Sequence, residues 1–132
     1  MFARRVFLTA GVLGILLVAP LYFLEARMSE LFPPPITHPE LYYGLVGVAL
    51  VFQLLYLMIG RDPVGLRPVM PIAILGKLSV AVPNFVLVAL GRSPASSLGF
   101  PVFDAFFAVL FVVAYLKTDA PPPGTTDRRP GA

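Results

Sequence analysis

The chain has 132 residues, 58% of them apolar and only 13% charged, with a mean hydropathy of +0.85. A soluble domain runs at about 45–50% apolar and about 25% charged, so an ordinary soluble enzyme, a disordered chain and a disulfide scaffold are all excluded. Four membrane spans of about 20 residues would occupy roughly 60% of such a chain, which matches its apolar fraction.

The first apolar run covers residues 6–24 and follows Arg4 and Arg5. At about 19 residues it exceeds the 7–15 of a signal-peptide core, and Pro20, Tyr22 and Phe23 stand where a cleavage site would need small residues. It is read as a retained span. The second run, 40–59, follows Pro33-Pro34-Pro35 and then Thr37, His38 and Pro39. Proline suits a first helical turn, Glu40 favours a helix N-terminus, and Gly60 with Arg61-Asp62-Pro63 marks the stop. The third run, 68–90, closes at Gly91-Arg92-Ser93-Pro94, and Pro83 inside it predicts a kink. The fourth, 98–116, stops at Lys117. Residues 118–132, with Pro121-Pro122-Pro123-Gly124, read as a disordered Pro-rich tail. The runs are continuous rather than alternating, and each is about twice the length of a membrane strand, so a β-barrel fails. The expected fold is an all-α, four-transmembrane-helix bundle over 1–117, running up-down-up-down.

Charge gives the orientation. Arg4, Arg5, Arg61, Arg67, Lys117, Arg128 and Arg129 fall on one side, while only Arg27 and Arg92 fall on the other, beside Glu25, Glu30 and Glu40. The positive-inside rule then predicts both termini in the cytoplasm and the loop at about 25–39 outside. The pI near 9.6 is largely this topology signal. The basic residues form no patch, so no nucleic-acid partner is expected. With no cysteine and one histidine, no thiolate or histidine-rich metal site can form. Glu30, His38 and Glu40 fit no ligand spacing and read as a solvated loop beside a helix cap. No cofactor is implied, and there is no nucleophile–histidine arrangement or phosphate loop to support an enzyme.

The polar residues inside the spans carry the functional question. Lys77 lies roughly 13 Å into the third span, where a lysine costs about 2.5–3.5 kcal/mol and needs a partner. Asp104 is its obvious counter-charge, at roughly 20 Å on the same scale. The two side chains lean away from each other along antiparallel helices, so either they reach against those leans to meet or an amide or a water sits between them. Asn84, two turns after Lys77, and Gln53 in the second span suit that role. Ordered by depth, Gln53, Lys77, Asp104 and Asn84 form a candidate buried network. It serves either as glue between helices or as a path or site for a polar or lipid-like ligand.

Small residues mark where helices approach: Ala10 with Gly14, Gly44 with Gly47, and Ala108 one turn after Asp104. Phe103, Phe106, Phe107 and Leu110 read as lipid-facing bulk, or else as a slot for a lipid or quinone. Tyr22, Tyr42, Tyr43 and Tyr115 fit an interfacial aromatic belt, and Tyr56 fits it less cleanly. The partners expected are the bilayer and a second copy or a larger membrane protein.

The segment His38-Pro39-Glu40-Leu41-Tyr42-Tyr43-Gly44, followed by Gln53, Arg61-Asp62-Pro63, Arg67-Pro68, Lys77 and Asp104, resembles a pattern found in small four-helix bacterial membrane proteins. More distantly, the layout is similar to the DoxX-like group. The resemblance spans about residues 38–117 and implies the fold and a bacterial inner membrane, but no activity. The first span lacks an acidic residue, unlike the small multidrug exporters that place a coupling glutamate there.

Overall fold

The computed structural model describes residues 1–123. Within them every regular element is helical: α1 (Phe2–Val18), α2 (Glu25–Leu31), α3 (Pro39–Arg61), α4 (Met70–Ala89) and α5 (Gly99–Lys117), with short 3-10 turns between some of them. Four helical stretches are long and apolar enough to cross a membrane: Phe2–Phe23, Pro39–Arg61, Arg67–Ala89 and Ala95–Lys117. The predicted spans correspond to these, with ends shifted by a few residues.

The differences have local causes. Pro20 has no N–H to donate, and the first span tightens there into a 3-10 turn, Ala19–Phe23. The predicted loop after it contains α2, too short to be seen as a periodic pattern. Beyond α2, the Ser29 hydroxyl accepts the Ile36 N–H at 3.1 Å and closes the Pro-rich segment. α3 starts as expected, with Pro39 in its first turn behind His38 and Glu40 following. α4 continues through Pro83, whose ring is exposed, without an interruption in the helix. It ends in a Schellman motif: Gly91 takes φ 68°, its N–H reaches Val88 O at 3.0 Å, and Arg92 N–H reaches Leu87 O at 2.8 Å. After α5, Thr118 is buried rather than trailing into solvent. Its hydroxyl donates to Ala114 O and its carbonyl accepts from Arg67 Nε, both at 2.7 Å. The rest of the predicted disordered tail, 124–132, lies outside the described residues.

α1 lies along α3, α4 lies along α5, and α1 against α5 joins the two pairs, while α3 and α4 meet along a thinner seam. Glycines set the α1–α3 distance. A Cβ on Gly11 would stand 3.0 Å from the Gln53 carbonyl, and one on Gly60 would stand 2.7 Å from the Leu8 side chain. Gly14 faces the Gln53 amide so closely that any side chain would collide with it. Of the small residues read from sequence, Gly14 lies in this interface and Ala10 is buried in the core, but a Cβ on Gly44 would meet nothing within 4 Å. The main cluster joins Phe7, Tyr56, Ile59, Met70 and Phe111, with small residues such as Ala3, Ala73 and Ala114 between them. Phe7 stacks on Phe111 at 4.2 Å, and Tyr56 meets Phe111 edge-on at 5.0 Å. The chain's first and last helices share this end of the bundle, since the Lys117 ammonium sits 4.8 Å from the Phe2 ring.

A buried lysine–aspartate pair as candidate functional site

The buried face of α4 is the stripe Met70, Ala73, Lys77 and Ala81. These positions recur at one helical face. One turn to either side of Lys77 stands an alanine, so the neighbouring helices come close and the lysine stem lies in the interface. Asp104 is on the matching stripe of α5, with Pro101 before it and Ala108 one turn on, both buried. Lys77 Nζ donates to Asp104 Oδ1 at 2.7 Å. The lysine side chain keeps 6% of its exposure and the aspartate 16%. Contact is therefore direct, with no amide between. The four methylenes of lysine span the depth difference once alanines have let the helices approach.

Three rings complete the ammonium's surroundings. Tyr56 is 5.1 Å away, Phe103 5.7 Å and Phe107 6.0 Å. A cation within about 6 Å of an aromatic face is attracted by the ring quadrupole. A charge-assisted hydrogen bond together with these faces offsets much of the desolvation that a lone ammonium would suffer. Tyr56 is thus a core residue, 2% exposed, and not part of an interfacial belt. The sequence signal for this is its poorer fit to the belt, about a turn short of the end of the second span.

The other two members of the expected network bond elsewhere. Gln53 Nε2 donates to Ala49 O in its own helix at 2.9 Å. Its Oε1 is buried without a hydrogen-bond partner, turned toward Gly14 in the α1–α3 interface. Asn84 Nδ2 donates to Val80 O one turn back, at 2.8 Å. Depth placed Gln53 beside the charges, but rotation about the α3 axis turns it toward α1, while Asn84, on the Lys77 face, folds back onto its own helix. The α3 residue that reaches Lys77 is Tyr56, three positions beyond Gln53.

At the opposite end of the spans, Tyr22, Tyr42 and Tyr43 are tied to the α2 region, whereas Tyr115 lies under the Arg67 guanidinium, 4.1 Å away, at the Lys117 end. Tyr42 donates to Leu21 O at 2.6 Å and Tyr43 to Glu25 Oε2 at 2.8 Å. Tyr22 stacks on Tyr43 at 6.3 Å. Glu30 pairs with Arg27 at 3.6 Å, and His38 Nδ1 lies 3.2 Å from Glu40, all four exposed. Among the described residues no group of His, Cys, Asp or Glu is arranged to hold a metal ion.

No family model, curated protein or solved structure matches this chain. The fold and the pair thus define a class only: a multi-pass helical membrane protein with an ion pair between two of its spanning helices.

Proposed function

We propose that this is a small polytopic protein of a bacterial inner membrane, with alternating spans and both termini in the cytoplasm. In this reading it acts by assembling, as a homodimer or with a larger membrane protein, rather than by catalysis. The observation that carries it is the closure of the Lys77–Asp104 pair at 2.7 Å. The two ionisable groups deep in the spans answer each other and clamp α4 to α5, which is the work of glue. What remains available for recognition is the outer surface. On α3 an exposed strip runs through Leu41, Gly44, Leu45, Val48 and Val51. Gly44 makes a notch in it where another helix can approach without meeting a side chain.

Energy transfer between labelled copies at low density in bilayers tests the reading. Association is expected, and Gly44→Leu should weaken it without destabilising the monomer, since a Cβ there meets nothing within 4 Å and leucine favours the helix over glycine. A persistent monomer at high copy number, with no co-purifying membrane partner, would sink the proposal. Reporter fusions after Thr118 and Arg61 should read cytoplasm and one at Pro34 the outside; an outside carboxyl terminus would reverse the charge argument.

A second reading, a transporter or binder of a small polar or lipid-like ligand, draws on the residual exposure of Asp104. It requires Lys77→Met and Asp104→Asn to abolish uptake or binding in protein that still folds and inserts.

A further inference from the structure

The α1–α5 contact is incomplete on its outer side. There a groove of about 510 Å³ opens, lined by Arg5, Thr9 and Leu13 from α1 and by Phe103, Phe106 and Leu110 from α5. Its floor is apolar, and Phe106 on its wall remains 60% exposed. From Phe2, which closes one end, to Leu13 the groove rises roughly 16 Å along α1. That is about half of a hydrocarbon core of about 30 Å, the depth of a single leaflet. The polar side chains are unevenly placed. Arg5 stands at the Phe2 end, and the Lys117 ammonium lies over the Phe2 ring at 4.8 Å. Two cations therefore flank the mouth, while the rest of the groove offers hydrocarbon and one hydroxyl. Arg4, exposed beside Arg5, adds to the positive field there, opposed by the Asp119 carboxylate past Lys117. Long basic side chains lay their stems on apolar surface and hold their charge at the headgroup level.

We infer that this groove seats one acyl chain of an anionic phospholipid, with Arg5 and Lys117 holding its phosphate-bearing headgroup at the Phe2–Lys117 end of the bundle. The chemistry selects the occupant. A neutral lipid could fill the hydrocarbon part equally well, but only a net negative headgroup is attracted to two cations at the mouth. Each basic group near such a headgroup contributes about a five-fold preference, so two give roughly twenty-five-fold at low salt.

The chain contains no tryptophan, so Phe106→Trp places a single fluorophore in the groove wall. The full chain carrying it is reconstituted into vesicles that mix phosphatidylcholine and phosphatidylglycerol, with bromine on the acyl chains of one lipid at a time. Brominated phosphatidylglycerol should half-quench the tryptophan at a mole fraction about ten-fold or more below brominated phosphatidylcholine. Arg5→Gln with Lys117→Gln should bring the two curves together, whereas Arg92→Gln, beyond the far end of α4, should leave them apart. Raising salt to 1 M on the unaltered charges should narrow the gap as well, which needs no variant to fold. Equal quenching by the two lipids at low salt overturns the inference. So does a preference that survives both the double replacement and high salt, or a tryptophan that neither lipid reaches because protein covers the groove.

Discussion

The two ends of this bundle are held together by different forces. At the end shared by Phe2 and Lys117, large side chains disappear completely: Phe7, Ile59, Met70 and Phe111 are 0% exposed and Tyr56 is 2%. At the end carrying α2, hydrogen bonds join half-buried rings: Tyr42 donates to Leu21 O and Tyr43 to Glu25, beside the Tyr22–Tyr43 stack, and the Ser29 hydroxyl closes the loop at Ile36. Within lipid, burying apolar surface between helices gains little, because lipid tails are as apolar as leucine. What holds spanning helices there is close packing, and aromatic rings set among Ala3, Ala73 and Ala114 supply it. Toward a headgroup region, unsatisfied polar groups become affordable to place and useful to pair. The Lys77–Asp104 pair stands where one regime gives way to the other: its ammonium touches the edge of the aromatic cluster through Tyr56 and Phe107.

This contrast is most directly broken by one comparison of variants. Phe111→Ala leaves a cavity against Phe7, Tyr56 and Phe107, and should cost about 3–5 kcal/mol, read as a large drop in thermal midpoint in bilayers. Tyr43→Phe removes one half-buried hydrogen bond to Glu25 and should cost only about 1 kcal/mol. If the two variants fall equally, the α2 end is as much a core as the other, and the division between packed and bonded ends fails.

How much of this could be read in advance depended on whether the signal was about depth or about rotation. The spans were legible because continuous apolar runs are bounded by Pro39, Gly60-Arg61, Gly91 and Lys117, each a helix-boundary residue. α2 was not, because seven residues with exposed Glu30 and Arg27 carry no period to detect. Lys77 and Asp104 stood out because an ionisable group in lipid demands a partner, and few were on offer. Gln53 and Asn84 are drawn into the same network by depth and lean, and Asn84 also by its two-turn spacing from Lys77. Their actual directions follow from contacts invisible in one dimension: Gly14 opens a space in α1 that Gln53 enters, and Asn84 folds back onto Val80. Gly44 and Gly14 look alike in sequence, yet one faces open space and the other a packed amide. Spacing can mark a glycine as permissive, but only the partner helix decides whether the permission is used.

The smaller and finer test concerns the pair at the boundary. Removing one member leaves the other charged in a low dielectric, so Lys77→Leu alone and Asp104→Leu alone should each be strongly destabilising, by roughly 3–5 kcal/mol. Removing both leaves two apolar side chains between Ala73, Ala81 and Ala108, a setting that suits them. The double variant should therefore cost less than the two single losses added together. With direct contact at 2.7 Å, the coupling from a double-mutant cycle of thermal stability should fall at about 1–3 kcal/mol. Gln53→Leu should add independently to either single variant, because its amide faces Gly14 and not the ammonium. Strict additivity of Lys77→Leu and Asp104→Leu would mean that the two charges do not depend on each other in the bilayer. The clamp between α4 and α5 would then be packing alone, the polar pair would need another use, and the ligand-binding reading would gain over the assembling one.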